Sequence, residues 1–297
     1  MKLQLVYPLL IVIASSSYGI LSTIIKVAMN NGFTSAQAVT SQYVVGFFLA
    51  LILFIFTQRT LPRLNKSGIL TIVLSGTFTA TTGIVYGQSL NYLPASLAVV
   101  MLFQFTWIGM LIDCVIKKRF PSRPETISLI FLFLGTILAA GVVDVDLSNI
   151  PWQGWGLGLV SALSFAIFIQ VNSREVQGTT TISRTLLMSL VAVTIISIFL
   201  TPEIIWDGTL LNTSLWKYGL ILGLFGIILP IILFSIAVPK VGGGLSSILS
   251  AMELPVAVLA ACIVLHEKVT LLQIFGIVLV LIGMILPTVL AQRKNRF

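Results

Sequence analysis

Ten apolar runs divide this chain, and each is long enough to cross a bilayer as a helix, which takes about 20 residues. They cover residues 5–28, 33–57, 67–89, 94–116, 125–143, 153–172, 182–201, 214–237, 243–265 and 270–290. In hydrocarbon every backbone N–H and C=O needs a partner inside the protein, which leaves helices and closed barrels. The runs are uniformly apolar rather than alternating, so helices follow. The predicted fold class is an all-α polytopic membrane protein with ten transmembrane helices. Composition agrees, with 57% hydrophobic and 9% charged residues, against about 25% charged in soluble domains. The opening "MKLQLVYPLLIVIASSS" imitates a signal peptide, but its apolar pattern continues to Ile25, long enough to span.

Charge tests the count. With the N-terminus inside, only Lys26, Lys217 and Lys268 of the 17 Lys and Arg residues fall on the outer side. Asp144, Asp146, Glu203, Asp207 and Glu267 fall there too. This is the positive-inside bias, and it puts both termini in the cytoplasm of a multi-pass protein of the plasma membrane. The net charge of +8 therefore reads as topology and not as a nucleic-acid surface. Cys114 and Cys262 lie inside apolar runs without CxxC or Cys/His neighbours, so they read as buried free thiols and no metal is expected. No cofactor is expected either.

The two halves echo each other. "ASLAVVMLFQFTWIGMLIDCVIKKRF" starts at residue 95 and "GLSSILSAMELPVAVLAACIVLHEKV" at residue 244. Aligned, Gln104 faces Glu253, Thr106 faces Pro255, and Lys117-Lys118-Arg119 faces His266-Glu267-Lys268. Gly135 aligns with Gly283 after a one-residue shift. Five spans per repeat is an odd number, so the second half enters the membrane upside down. Its "HEKV" loop has lost most of the positive charge of "KKRF", as an inverted repeat under the positive-inside bias should. The repeats are assigned to residues 1–147 and 148–297.

Ten helices in two repeats, with "LP" in the penultimate helix followed by "HEKVTLLQIFGIVLVLIGMIL", resemble the EamA-type carriers of the drug/metabolite transporter superfamily. The similar features are Pro255, Glu267 in the next loop, and Gly276 and Gly283 spaced seven apart in the last helix. The first half departs, with Thr106 at the proline position and Lys118 at the loop glutamate. The resemblance implies transport, usually export, of small metabolites or drugs.

Polar side chains in a membrane should face a cavity or another helix. Stripes at helical spacing run through Ser15, Tyr18, Ser22 and Lys26, through Ser75, Thr79, Thr82, Tyr86 and Ser89, and through Ser161, Ser164, Phe168 and Asn172. Gln104 and Trp107 share a face, as do Ser246, Ser250 and Glu253. Spans 1, 3, 4, 6, 8 and 9 are therefore placed around a central path. Ser75, Thr79 and Ser161 read more readily as interhelical glue. The substrate-binding candidates are Tyr18, Tyr86, Gln104, Trp107, Ser164, Ser250 and Glu253, with Pro230 and Pro255 as helix breaks. Asp113 and Lys117, four apart at a helix end, read as an ion pair, and Arg184 as a residue at headgroup level.

Glu253 is the only charged residue between Leu245 and Leu265. A charge at mid-membrane costs about 2.5–3.5 kcal/mol on insertion scales. Pro255 cannot donate to the carbonyl of Ala251, so a bend is expected beside the acid. Carriers place their sites at such discontinuous helices. The leading reading is a secondary transporter, an exporter of amino acids or related zwitterionic or aromatic solutes, or of drugs. Its partners are a small-molecule substrate, a coupling proton held at Glu253 and the bilayer, with oligomeric state open. The alternatives are an organic-anion exchanger, which would want Lys or Arg deep in the cavity, and a channel. A lipid-directed enzyme lacks a clustered catalytic set, since His266 has no HExxH-like surroundings. No GxxxxGK[ST] loop exists for ATP-driven pumping. A reporter active only in the cytoplasm should be active when fused to either terminus; activity of a periplasm-only reporter at either end would refute the orientation.

Overall fold

The computed structural model describes residues 2–60, 62–93, 95–139, 150–200, 202–266 and 269–294. Its helices are α1 (Lys2–Asn30), α2 (Ser35–Thr57), α3 (Lys66–Ser89), α4 (Ala95–Phe103), α5 (Phe105–Ile116), α6 (Arg123–Ala139) and α7 (Trp152–Asn172). There follow α8 (Thr181–Phe199), the short α9 (Thr209–Asn212), α10 (Leu215–Gly223), α11 (Leu229–Val241), α12 (Gly243–Leu249), α13 (Glu253–Leu265) and α14 (Leu271–Lys294). No strand occurs among the described residues. Eight helical segments are long and apolar enough to cross a membrane. Leu271–Pro287 is a shorter apolar helix, and α6 is described for 17 residues. The end of the expected fifth span lies outside the described residues, as do Asp144, Asp146, Glu267 and Lys268.

Helix starts are set by local chemistry. Thr34 accepts from the Gln37 amide while the Gln37 side chain accepts from the Thr34 amide, a capping box that opens α2. Asn65 accepts from Gly68 at 2.7 Å to start α3, and Thr180 accepts from Ser183 to start α8. Thr270 and Gln273 repeat the reciprocal pattern at α14. At the end of α13, His266 takes the left-handed conformation and its amide returns to Ala261.

Three segments are interrupted. Between α4 and α5 the amide of Gln104 bonds the Met101 carbonyl, and the Gln104 side chain takes over the Val100 carbonyl at 2.9 Å. Between α10 and α11 lies a π-helical turn, Leu224–Ile228. Pro230, the second residue of α11, has no N–H to give to Gly226, which accounts for the widened turn. Between α12 and α13 lies a 3₁₀ turn, Ser250–Met252. Pro255 therefore sits in the first turn of α13, where a missing N–H is tolerated. The bend falls one turn before the proline, at the carbonyl that loses its donor.

The packing partners exchange when the two halves are exchanged. α1 packs on α11 and α3 packs on α7; α1 packs on α13 and α7 packs on α4 and α5; α2 packs on α10 and α8 packs on α3. The last helices of the two halves, α6 and α14, pack on each other. Ser128 donates to the Gly283 carbonyl at 2.5 Å. Apolar side chains such as Phe56, Val115, Ile263 and Leu271 are more than two-thirds exposed, a surface that suits lipid.

A Cβ on Gly276 would collide with the backbone of Ala139, whereas one on Gly156 would meet nothing. Gly276→Ala should therefore lower stability by about 1–3 kcal/mol, read by thermal unfolding in detergent, while Gly156→Ala leaves the midpoint unchanged or slightly raised.

Candidate functional site

A cavity lies between α1, α2, α3, α4, α7, the π turn and α13. Its polar walls are Tyr18, Ser22, Gln42, Tyr43, Thr79, Thr82, Tyr86 and Glu253, and its apolar walls include Leu21, Ile25, Val99, Leu102 and Phe165. The room open to water centres is about 90 Å³; one water takes about 10–15 Å³ on this measure. Several waters or one small polar group therefore fit. The lining comes from the C-terminal halves of α1 and α3 and the N-terminal half of α2. That displaces the cavity toward one end of the bundle, away from the basic loops at residues 58–65 and 117–119.

Backbone packing brings the acid to this place. Glu253 is the first residue of α13, directly after the 3₁₀ turn. Gly19 lets α1 approach it: a Cβ there would overlap the Glu253 carbonyl. That approach carries the neighbouring Tyr18 to the same cavity. The Tyr18 hydroxyl and Glu253 Oε2 are both buried and neither has a hydrogen-bond partner. Unsatisfied buried polar atoms are rare and costly, and two of them border this one cavity. By contrast, the Tyr43 hydroxyl donates to the Thr79 carbonyl at 2.7 Å.

Below the cavity the bundle is closed. The Tyr18 ring meets Phe165 edge-on at 5.7 Å and lies 5.9 Å from Phe234. Phe105 meets Phe165 at 4.7 Å, and Phe165 stacks on Phe168 at 5.8 Å. One layer further, the Gln170 amide donates to the Gly109 carbonyl at 2.7 Å. Asp113, 3% exposed, pairs with Lys117 at 2.9 Å and with Arg119 at 3.0 Å. Glu125 adds a bond to Arg119 at 2.7 Å; hydrogen bonds to Glu125 and then Asp113 raise the Arg119 guanidinium above its ordinary range. The 113–117 pair was expected from spacing; the Arg119 and Glu125 arms were not.

The candidates separate. Tyr18, Tyr86 and Glu253 come together in the cavity. Gln104 and Trp107 bond each other at 2.6 Å, and Trp107 is 38% exposed on the outside of the bundle. Ser164 is buried in α7 next to Phe165 but is not a wall, and Ser250 is buried in the 3₁₀ turn with its hydroxyl unpartnered. Pro255 is buried at the start of α13, and Pro230 follows the π turn whose Gly226 lines the cavity. Span 2, which is not among the spans placed around the central path from sequence, contributes Val39, Gln42 and Tyr43. The overlooked signal was Gln42, a large polar residue one turn from Gly46. Arg184, in the first turn of α8, is buried within the protein at 4% exposure. Among the described residues no group of His, Cys, Asp and Glu could hold a metal.

Comparison with known proteins bears on the whole chain. The profile of the EamA-like transporter family matches residues 5–141 and again residues 152–289. Among curated proteins no match is found. Of the solved structures, 29 chains match. One of them, described only as a crystal structure of a protein, covers 99% of this chain and 99% of its own. It is 12% identical with a TM-score of 0.77, which shows a shared fold.

Two tyrosines give opposite expectations. Tyr18→Phe removes a hydroxyl that makes no hydrogen bond of ordinary geometry and should leave stability unchanged or raise it by up to about 1 kcal/mol. Tyr43→Phe removes a made bond and should lower it by about 0.5–1.5 kcal/mol. Thermal unfolding of the two variants side by side checks the sign.

Proposed function

The chain belongs to the EamA-like transporter family, and from that premise we propose that it is a secondary active exporter of small zwitterionic or cationic solutes with an aromatic part. It is a multi-pass membrane protein of a transporter family, whose context is a small-molecule substrate and lipid. The finer reading is ours. Ten spans form two inverted five-helix repeats in the plasma membrane, with both termini cytoplasmic. The two halves rock about the cavity, and Glu253 binds a proton and the cationic part of the solute in turn.

The observation that carries this reading is the partnerless carboxylate oxygen of Glu253 in one cavity with the partnerless Tyr18 hydroxyl, at a helix break. A cation presented there gains the carboxylate and the faces of Tyr18 and Tyr86 together. The described walls contain no Lys or Arg, so the cavity does not suit a sugar phosphate or other organic anion. The cavity's offset from the basic loops favours a state with the cytoplasmic side sealed by the phenylalanine layer and by the Gln170–Gly109 bond. In that state the acid is nearer the outer face, where an exporter would release solute and take up a proton.

Proteoliposomes loaded with a panel of amino acids, amines and drugs, with and without an imposed pH gradient, test the proposal. Saturable flux that depends on the gradient is expected, and Glu253→Gln should reduce gradient-driven flux at least tenfold while thermal stability persists. Undiminished gradient-driven flux in that variant would remove the role of Glu253. Non-saturable flux would favour a channel.

A further inference from the structure

A second cavity opens at the opposite, basic end of the bundle. It lies between the α7–α8 loop, the start of α8 and the end of α11, and its walls include Glu175, Thr181, Arg184, Ser235 and Lys240. It offers about 300 Å³ of room for water, and none of its walls is shared with the Glu253 cavity.

Arg184 is the unusual member. Its side chain is 4% exposed, and a guanidinium keeps its charge at neutral pH. Nη2 donates to Asn172 Oδ1 at 2.7 Å, Nη1 reaches the Arg174 carbonyl only at 3.4 Å, and Nε has no acceptor. Among the described residues no carboxylate pairs with it. It also stands in the first turn of α8, where the helix dipole disfavours a cation and favours an anion. Charge burial and dipole thus call for the same missing partner. Two further donors border the space. The Ser235 hydroxyl is buried without a partner. The Lys240 ammonium meets Glu175 at 2.5 Å, with both side chains at least half exposed. The one acid on the walls is therefore already taken by the exposed lysine, and lies on that surface pair.

We propose that this cavity binds a phosphate-class anion, either free phosphate or the phosphate of an anionic lipid headgroup. Arg184 supplies the fixed charge and the planar N–H donors suited to phosphate oxygens. Ser235 supplies a neutral donor from the opposite wall. Lys240 exchanges its bond to Glu175 for one to the ligand.

The test is thermal unfolding of the purified full chain in detergent. One arm titrates inorganic phosphate against chloride at equal ionic strength. A second arm adds phosphatidylglycerol against phosphatidylcholine. A saturable rise in midpoint with phosphate assigns the free anion, and a rise with phosphatidylglycerol alone assigns the headgroup. Arg184→Gln and Lys240→Gln should each weaken the apparent affinity at least tenfold. Glu175→Gln, which removes the competing acid, should tighten it, and Lys217→Gln at the other end of the bundle should change nothing. If Arg184→Gln does not fold, Lys240→Gln, Ser235→Ala and Glu175→Gln carry the test. No rise in either arm, or a rise unaltered across these variants, overturns the proposal.

Discussion

In hydrocarbon a backbone carbonyl or amide that loses its helical partner must find another within the protein, and this constraint decides where the chain can be irregular. Each of the three interrupted segments sends residues to the cavity: Leu102 from α4, Gly226 from the π turn, Glu253 from the start of α13. Each repair is different. At Gln104 a side chain replaces the lost backbone donor to Val100. Before Pro230 the helix widens by one residue, and before Pro255 it tightens into a 3₁₀ turn. The breaks occur on helices whose partners are other helices, so the freed groups meet protein instead of acyl chains.

Small residues convert those breaks into a polar chamber. Gly19 allows α1 to touch the backbone at Glu253, and a Cβ on Gly83 would meet the Tyr43 hydroxyl. A Cβ on Gly226 would occupy the place of the Gln42 amide. In each case a glycine on one helix makes room for a polar or backbone group on another. The same device seals the far end, where Gly109, Gly243 and Gly244 lie against Ser247, Gln170 and Asp113. Close backbone approach therefore produces an open space on one side and a closed one on the other, depending on whether the facing side chain fills the gap.

Charge is distributed by the same logic. Asp113 is buried but faces two cations, so it reads as a structural clamp at the sealed end. Among the described residues neither Glu253, half-buried with its Oε2 enclosed, nor the buried Arg184 has a counter-charge; the first lies near the middle of the bundle and the second near its basic edge. Their isolation sets them apart from the paired Lys240 and Glu175.

Much of the architecture was legible in the residues. The apolar runs predicted the helices within a few residues, because hydrophobic length is a direct requirement of the bilayer. Pro255 announced the break beside Glu253, whereas the break at the aligned Gln104, which has no proline, appears only in the structure. Spacing also put Tyr18, Thr82 and Tyr86 on faces that the cavity uses. What it could not supply was rotation and reach between helices. Trp107 and Gln104 share a face at spacing three, yet that face bonds itself and turns outward. Gln42 and Tyr43 lie in a span without a stripe, yet they form a wall because α2 packs on α10. Sequence alone settled that the chain is a helical membrane protein, since too few charges exist to cover a water-facing surface. Only the tertiary structure decided which polar groups share a cavity and which lack partners, because hydrogen-bond satisfaction depends on neighbours far along the chain.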